Sequence, residues 1–163
     1  MDPNQFFING NNYISKKNIE LVKNVAQREY YEPGTFDDSN MTEFFTIKGE
    51  RVRSKSELII ADELYRYNVP YHYEMPLELQ NRGRTIMLRP DFTVIGRTSG
   101  SRYVYEHLGM MVEPSYVASS IRKLDLYERN GYMLGKNLIL THETKLSPLS
   151  VGVVDSYIEN FFL

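Results

Sequence analysis

The chain has 163 residues, 42% hydrophobic and 25% charged, which suits one compact domain with its own core and excludes wholesale disorder or a fibrous repeat. It has no cysteine and only three histidines, which excludes disulfides and thiolate metal sites and leaves oxygen ligands, hence Mg²⁺ or Mn²⁺, for any metal. The formal net charge of -2 excludes a general attraction for nucleic acid, so phosphate contacts would need a local patch.

Residues 1–45 are predicted to form an arm that is separate from a domain at 46–163. The start, MDPNQFFINGNN, lacks the basic and apolar parts of a signal peptide, and no apolar run has membrane-spanning length, so we expect a cytoplasmic protein without membrane contact. Apolar residues at helical spacing after Ser15 predict an amphipathic helix over 15–31, and the Pro- and Gly-containing stretch 32–49 is typical of an irregular connection. We interpret the arm either as the junction to a missing upstream region or, through its apolar stripe, as a homodimer contact.

The first part of the domain predicts a helix followed by three antiparallel strands. SKSELIIADELYRY, from Ser54 to about Tyr67, has apolar residues at helical spacing. The runs YHYEMPLEL, TIMLRPDFTVIG and RYVYEHLGM follow, separated by the turn-like segments QNRGR and RTSGS. These runs predict three strands, with an edge or a bulge at Pro76.

The second part of the domain predicts a helix, a strand and a final helix. PSYVASSIRKLDLYERNG begins with Pro114 and ends with Asn130 and Gly131, which are typical start and stop residues of a helix. KNLILT predicts a buried strand, and VGVVDSYIENFFL has helical spacing. Since the helix between the third and fourth strands is long enough for a parallel crossover, we expect an α/β fold with a mixed central sheet flanked by helices.

Two acids occupy strand positions where a carboxylate is unfavourable. In PDFTVIG, Asp91 stands at one end of a partly apolar strand face. In YVYEHLG, Glu106 shares its face with Val104 and Leu108, whereas His107 points to the opposite face. A carboxylate among apolar neighbours is costly unless it is paired, protonated or bound to a cation. We therefore hypothesise that the two acids, on successive strands, converge on one ion.

Three short blocks carry a resemblance to a known family. SKSE at 54–57, PDFT at 90–93 and EHLG at 106–109 stand in this order on a helix, a strand and the next strand. Over roughly residues 50–145 the chain resembles a bacterial and phage branch of the PD-(D/E)XK nuclease superfamily. The resemblance implies a restriction-endonuclease-like core and a metal-dependent endonuclease that hydrolyses phosphodiester bonds in nucleic acid, in DNA more than in RNA. It implies Mg²⁺ as the cofactor, with Mn²⁺ as a substitute.

The resemblance also implies a role for each acid. Asp91 and Glu106, together with the backbone carbonyl of His107, would hold one or two metal ions, and Glu57 would bind a metal directly or through water. The metal would activate a water that attacks the phosphodiester and would neutralise the charge that builds up on the phosphate.

The chain departs from the family pattern at the catalytic lysine. Two residues after Glu106, where the family carries that lysine, stands Leu108. The resemblance suggests a migrated lysine, and Lys123 on the following helix is the nearest helical candidate. Tyr116, Lys123 and Tyr127 lie seven and four residues apart and hence on one helix face, which could look towards the acids. The alternative is that Lys123 is an ordinary solvated lysine.

Several residues are candidate nucleic-acid contacts. Arg53 and Lys55 lie just before and at the start of the first core helix, and Arg84 follows the first predicted hairpin turn. With Tyr116 and Tyr127 they would follow a phosphate backbone without reading bases. The alternatives are an ordinary solvated surface for the basic residues and core packing for the tyrosines.

The acids have structural alternatives too. S-x-x-E is also the pattern of a helix capping box, in which Glu57 would bond back to the backbone of Ser54. Asp91 could be a turn residue at the entry to its strand. Glu106 could pair with an arginine such as Arg89 or Arg122.

Two further functions remain open at this point. A nuclease-like fold that has lost its chemistry could serve as a nucleic-acid-binding or assembly module, which Leu108 and the acidic balance favour. A small-molecule enzyme or an interaction domain would be a different class of protein, but the sequence contains no phosphate loop, no G-x-G-x-x-G and no nucleophile elbow.

Overall fold

The computed structural model describes five stretches of the chain, residues 5–8, 12–15, 31–32, 34–36 and 42–163. Nearly all of the helix predicted over 15–31 lies outside these residues. Two short antiparallel hairpins precede the main sheet: β1 (Gln5–Ile8) pairs with β2 (Asn12–Ser15), and β3 (Phe44–Phe45) pairs with β4 (Arg51–Val52). Neither hairpin was predicted from the sequence.

Prolines interrupt the first two of the three strands that the sequence predicts. YHYEMPLEL forms β5 (Tyr71–Tyr73) and the start of β6 (Leu77–Asn81), and TIMLRPDFTVIG contributes to β7 (Arg84–Leu88) and β8 (Phe92–Ile95). Each break contains a proline, which has no N–H for the strand ladder and restricts the residue before it. The prediction of three continuous strands is therefore wrong, because β6 and β7 pair with each other in a separate antiparallel hairpin.

The main sheet combines antiparallel and parallel pairing. After β8 the chain continues into β9 (Arg102–Leu108) and later into β10 (Leu138–His142). The strand order is β10, β9, β8, β5; β5 and β9 are antiparallel to β8, and β10 is parallel to β9. The predicted mixed sheet and its parallel crossover are confirmed, and the fold is mixed α/β.

Three helices in the described part of the chain match the sequence predictions. They are α1 (Lys55–Arg66), α2 (Pro114–Arg129) and α3 (Val151–Phe161). Ser54 caps α1, since its side chain accepts a hydrogen bond from the backbone N–H of Glu57 at 3.1 Å. None of the described helices is long and apolar enough to span a membrane.

The two faces of the main sheet pack against different elements. Phe92 and Tyr105 belong to a core cluster with Ile60 of α1 and with residues of α3. Val104 belongs to a second cluster that contains Tyr127 of α2 and residues of the β6–β7 hairpin. Because successive strand residues point to opposite faces, Glu106 lies on the α2 side with Val104, as the alternation predicts.

Described residues of the predicted arm contact the domain. The hydroxyl of Tyr31 donates to the backbone carbonyl of Tyr73 at 2.7 Å. Phe36 packs against the first core cluster, and its ring lies 4.7 Å from the guanidinium carbon of Arg53. The boundary between 45 and 46 stays a prediction, although these contacts tie Tyr31 and Phe36 to the domain.

Candidate active site

Asp91 lies immediately before β8, and its carboxylate reaches across to β9. Oδ2 of Asp91 accepts a hydrogen bond from the backbone N–H of His107 at 2.7 Å. The backbone carbonyl of Asp91 accepts from the N–H of Glu74 at 3.1 Å. Enclosure by protein raises the pKa of Asp91 well above its ordinary value, and the charge of Glu106 raises it further, whereas the His107 N–H and Lys123 act against the rise. The positive charge around Asp91 therefore does not fully compensate its ionised carboxylate.

Glu106 is almost fully buried and is held by two residues of α2. The Nζ atom of Lys123 lies 2.6 Å from Oε1 and 2.7 Å from Oε2, and the hydroxyl of Tyr127 donates to Oε1 at 2.5 Å. Lys123 and Tyr127 are one helical turn apart, so both reach the same carboxylate. Lys123 of α2 thus supplies a positive charge beside Glu106, which Leu108 on the same strand cannot supply. The alternative pairing with Arg89 is not formed, since that guanidinium donates to the carbonyls of residues 32 and 74.

Glu57 is held at the start of α1. One carboxylate oxygen, Oε2, accepts from the backbone N–H of Arg53 and from the hydroxyl of Tyr73, both at 2.8 Å. The capping-box alternative is only half formed, because Glu57 bonds to Arg53 and not to the Ser54 backbone. Burial raises the pKa of Glu57, although these two hydrogen bonds oppose the rise. The charge of Glu57 also raises the pKa of Asp91.

The acid pair is compatible with a magnesium ion. Among the described residues no group of three or more Asp, Glu or His side chains is arranged to hold a metal. Mg²⁺, however, is often bound through one or two carboxylates and keeps several waters. A divalent cation would relieve the enclosure and repulsion that raise the pKa of Asp91. The residues therefore fit an ion held by Asp91 and Glu106 with backbone and water oxygens, and not a full cage of side chains.

The side chain of His107 points away from the acids, as the alternation predicts. Its Nδ1 lies 2.9 Å from Oγ1 of Thr141. Its buried Nε2 lies 3.4 Å from Oε1 of Glu143, but without the geometry of a hydrogen bond. Burial lowers the pKa of His107, so the ring is neutral at pH 7. His107 serves the acid pair through its backbone N–H.

Glu143 is a structural acid that the sequence analysis missed. Its Oε1 accepts from the hydroxyl of Ser56 in α1 at 2.8 Å, and its Oε2 accepts from the N–H of Leu149 at 2.9 Å. Burial alone would raise the pKa of Glu143, but the hydrogen bonds from Leu149 and Ser56, together with the nearby His107 ring, hold it below its ordinary value. Nothing in the polar segment HETKLSP distinguishes this acid from an exposed one, because its partners are distant in the sequence.

We expect Glu143→Gln to lower the free energy of unfolding at pH 7 by about 1–3 kcal/mol, because the donors Ser56 and Leu149 lose a charged acceptor and glutamine offers one acceptor oxygen in place of two. Since the folded pKa of Glu143 is depressed, its contribution is present above the ordinary value of 4.5 and is lost as the pH falls through the folded pKa. Urea unfolding of both proteins across this pH range measures the difference, with the exposed Glu128→Gln as a control. A difference that does not shrink in acid would contradict this role.

The three basic candidates for nucleic-acid contact differ in their surroundings. Lys55 and Arg84 are exposed, Arg84 at the start of β7 beside the hairpin turn. Arg53 is exposed too, but it forms a two-point ion pair with Glu74, with its Nε 2.5 Å from Oε1 and its Nη2 3.0 Å from Oε2. Its Nη2 also donates to the carbonyl of Thr35 at 2.9 Å. The guanidinium of Arg53 is thus already paired within the protein.

The two tyrosines of α2 also differ. Tyr116 is half-buried, and burial raises its pKa, as do the charges of Asp91 and Glu106. Tyr127 is completely buried, with 0% of its surface exposed. A direct contact of Tyr127 with nucleic acid, expected from the helix face it shares with Lys123, is therefore corrected: its hydroxyl binds Glu106 inside the protein.

Comparisons with known proteins add one distant similarity. No protein-family model matches the chain, and no solved structure matches it. The chain is similar to an uncharacterized protein of Methanocaldococcus jannaschii, with 29% identity over 105 residues. The match covers 64% of this chain but only 8% of that relative, so the chain spans a small part of the relative's length. This similarity indicates neither a family nor an activity.

Proposed function

We propose that the chain is a metal-dependent nuclease with a restriction-endonuclease-like core that hydrolyses phosphodiester bonds, in DNA more than in RNA. The observation that carries the proposal is that Asp91 bonds to the backbone N–H next to Glu106, while Lys123 of α2 pairs with Glu106 itself. Two acids that could hold a metal ion, with a cation beside them, suit phosphodiester hydrolysis, and Lys123 supplies the charge that Leu108 does not. The order of α1, β5, β8, β9, α2 and β10 agrees with the core that the resemblance implies.

In the proposed reaction Asp91, Glu106 and the carbonyl of His107 would hold Mg²⁺, with Glu57 as an outer contact. The bound ion would supply Lewis-acid charge at the scissile phosphate and lower the pKa of water. The ammonium of Lys123 would neutralise charge that develops on a nonbridging oxygen. Because Glu106 is almost fully buried, these interactions act where water screens them weakly.

Substrate binding would depend on exposed basic residues outside the acid pair. Lys55 at the start of α1 and Arg84 on the hairpin are placed to contact phosphates. Such contacts position a strand and carry no sequence information. The proposal therefore includes no base preference.

One observation favours a second candidate, a nuclease-like module that binds nucleic acid or takes part in assembly without cutting. Both carboxylate oxygens of Glu106 already contact donors of the chain itself, Lys123 and Tyr127. A carboxylate satisfied in this way has less to gain from a metal. The same contacts would hold an inactive site together.

Cleavage assays separate the two candidates. We expect the protein to nick or cut supercoiled plasmid DNA with Mg²⁺ or Mn²⁺, to cut single-stranded RNA more slowly, and to cut neither in EDTA, because the acids alone cannot neutralise the phosphate. Gel electrophoresis of the products measures this. Binding of DNA without cutting in either metal would reject the nuclease and leave the binding module.

A further inference from the structure

The most completely buried polar contact of the candidate site is the hydroxyl of Tyr127 on Glu106. The bond to Oε1 is 2.5 Å long, and neither residue is more than 3% exposed. A phenolic hydroxyl carries its proton at neutral pH, and an ionised carboxylate can only accept, so Tyr127 is the donor of this bond.

The hydrogen bonds to Glu106 are divided between its two oxygens. Oε1 accepts from the Tyr127 hydroxyl and Oε2 accepts from the Lys123 ammonium, whose Nζ also lies 2.6 Å from Oε1. Since a carboxylate oxygen has about two lone-pair sites, these two donors fix the carboxylate in one orientation and leave it acceptor capacity for a cation.

The ring of Tyr127 is fixed by its packing. It belongs to the cluster with Leu79, Val104 and Leu138, and it makes an edge contact with the ring of Tyr132, with centroids 5.9 Å apart. A fully buried aromatic ring in such a cluster has little freedom to turn. The packed ring thus holds the hydroxyl at a fixed position beside Oε1.

We propose that Tyr127 is a positioning residue that fixes the orientation of the Glu106 carboxylate in which it would receive the cation. The inference rests on the proposed function in one respect, namely that Glu106 is a metal ligand. Partners of this kind orient a ligand and raise its affinity, and their loss typically weakens metal binding about 10–100-fold. Tyr127 acts through Glu106 and touches neither metal nor substrate.

The test is Tyr127→Phe, which removes the hydroxyl and keeps the ring. We expect Mn²⁺ binding, measured by titration calorimetry, to weaken about tenfold or more. We expect kcat for DNA cleavage to fall with little change in KM, because substrate contacts lie elsewhere. Tyr132→Phe removes the hydroxyl of the neighbouring ring and should bind Mn²⁺ as the wild type does. Leu138→Val lowers the stability of the same cluster without removing a polar group, and it should also leave Mn²⁺ binding unchanged.

The outcomes separate the inference from the proposed function. If the wild type cuts DNA and Tyr127→Phe binds Mn²⁺ as tightly as the wild type, the positioning role is wrong and the nuclease stands. An equal loss in Leu138→Val would also overturn it, because the effect would then be one of general stability. If the wild type binds no Mn²⁺, both the inference and the metal-dependent function are overturned.

Discussion

Asp91→Asn is expected to abolish metal-dependent DNA cleavage, by about a thousand-fold or more, and at the same time to stabilise the metal-free protein at pH 7. A thousand-fold loss corresponds to about 4 kcal/mol of transition-state stabilisation. The loss follows because asparagine is a poor substitute for a carboxylate that holds Mg²⁺. The gain follows because enclosure and the charge of Glu106 raise the pKa of Asp91, so its ionised form costs folding free energy.

The pH dependence of this stability gain has a definite sign. An acid whose pKa is raised on folding binds more protons when folded, so wild-type stability falls as the pH rises from the ordinary value towards the folded pKa. Asp91→Asn has no such dependence, because asparagine does not ionise. The variant should therefore be as stable as the wild type in acid and more stable above the folded pKa of Asp91, by on the order of 1 kcal/mol or about 2–4 °C in Tm.

Cleavage assays measure the expected loss of activity, and thermal unfolding in EDTA and in Mg²⁺ measures the expected gain in stability. Mg²⁺ should raise the Tm of the wild type and leave that of Asp91→Asn unchanged, since a ligand stabilises only the state that binds it. Asp125→Asn, at an exposed position of α2 paired with Arg129, is the matched control and should cut normally. An inactive Asp91→Asn protein that is less stable than the wild type would show that Asp91 is a structural residue.

Lys123→Met is expected to have the second largest effect, on both stability and cleavage. Glu106 is 4% exposed at its side chain and Lys123 is 32% exposed, so the variant leaves a buried carboxylate without its cation. Removing one partner of such a pair costs on the order of 3 kcal/mol. Cleavage should fall about 100- to 1,000-fold, as expected when one donor to the developing charge is removed.

A double variant shows whether the stability lost in Lys123→Met comes from the broken ion pair with Glu106 or from lost packing of the lysine side chain. Lys123→Met combined with Glu106→Gln should regain most of the lost stability, because no buried charge remains unpaired. Lys136→Met, at an exposed lysine before β10, is the control and should match the wild type. Urea unfolding measures these differences. If Lys123→Met is as stable as the wild type, Lys123 is the solvated lysine of the alternative interpretation.

The helices and the sheet were largely predictable because they depend on local patterns. The cap at Ser54, the start at Pro114 and the stop at Asn130 mark helix ends that the structure reproduces. The sequence analysis did not predict that the first two strands are interrupted, although Pro76 was expected to mark an edge or a bulge. A strand ends where its backbone loses its partners, and pairing of β6 with β7 depends on both segments at once.

Strand alternation and helical spacing were enough to predict that Glu106 and His107 point to opposite faces of β9. The family resemblance also singled out Lys123 as a candidate cation, whose catalytic role stays a prediction. What covers each face became visible only in the folded chain, in which Tyr127 is a buried donor to Glu106 and Glu143 joins Ser56 and Leu149. Alternation and helical period are local properties, whereas burial and pairing depend on residues far apart in the chain.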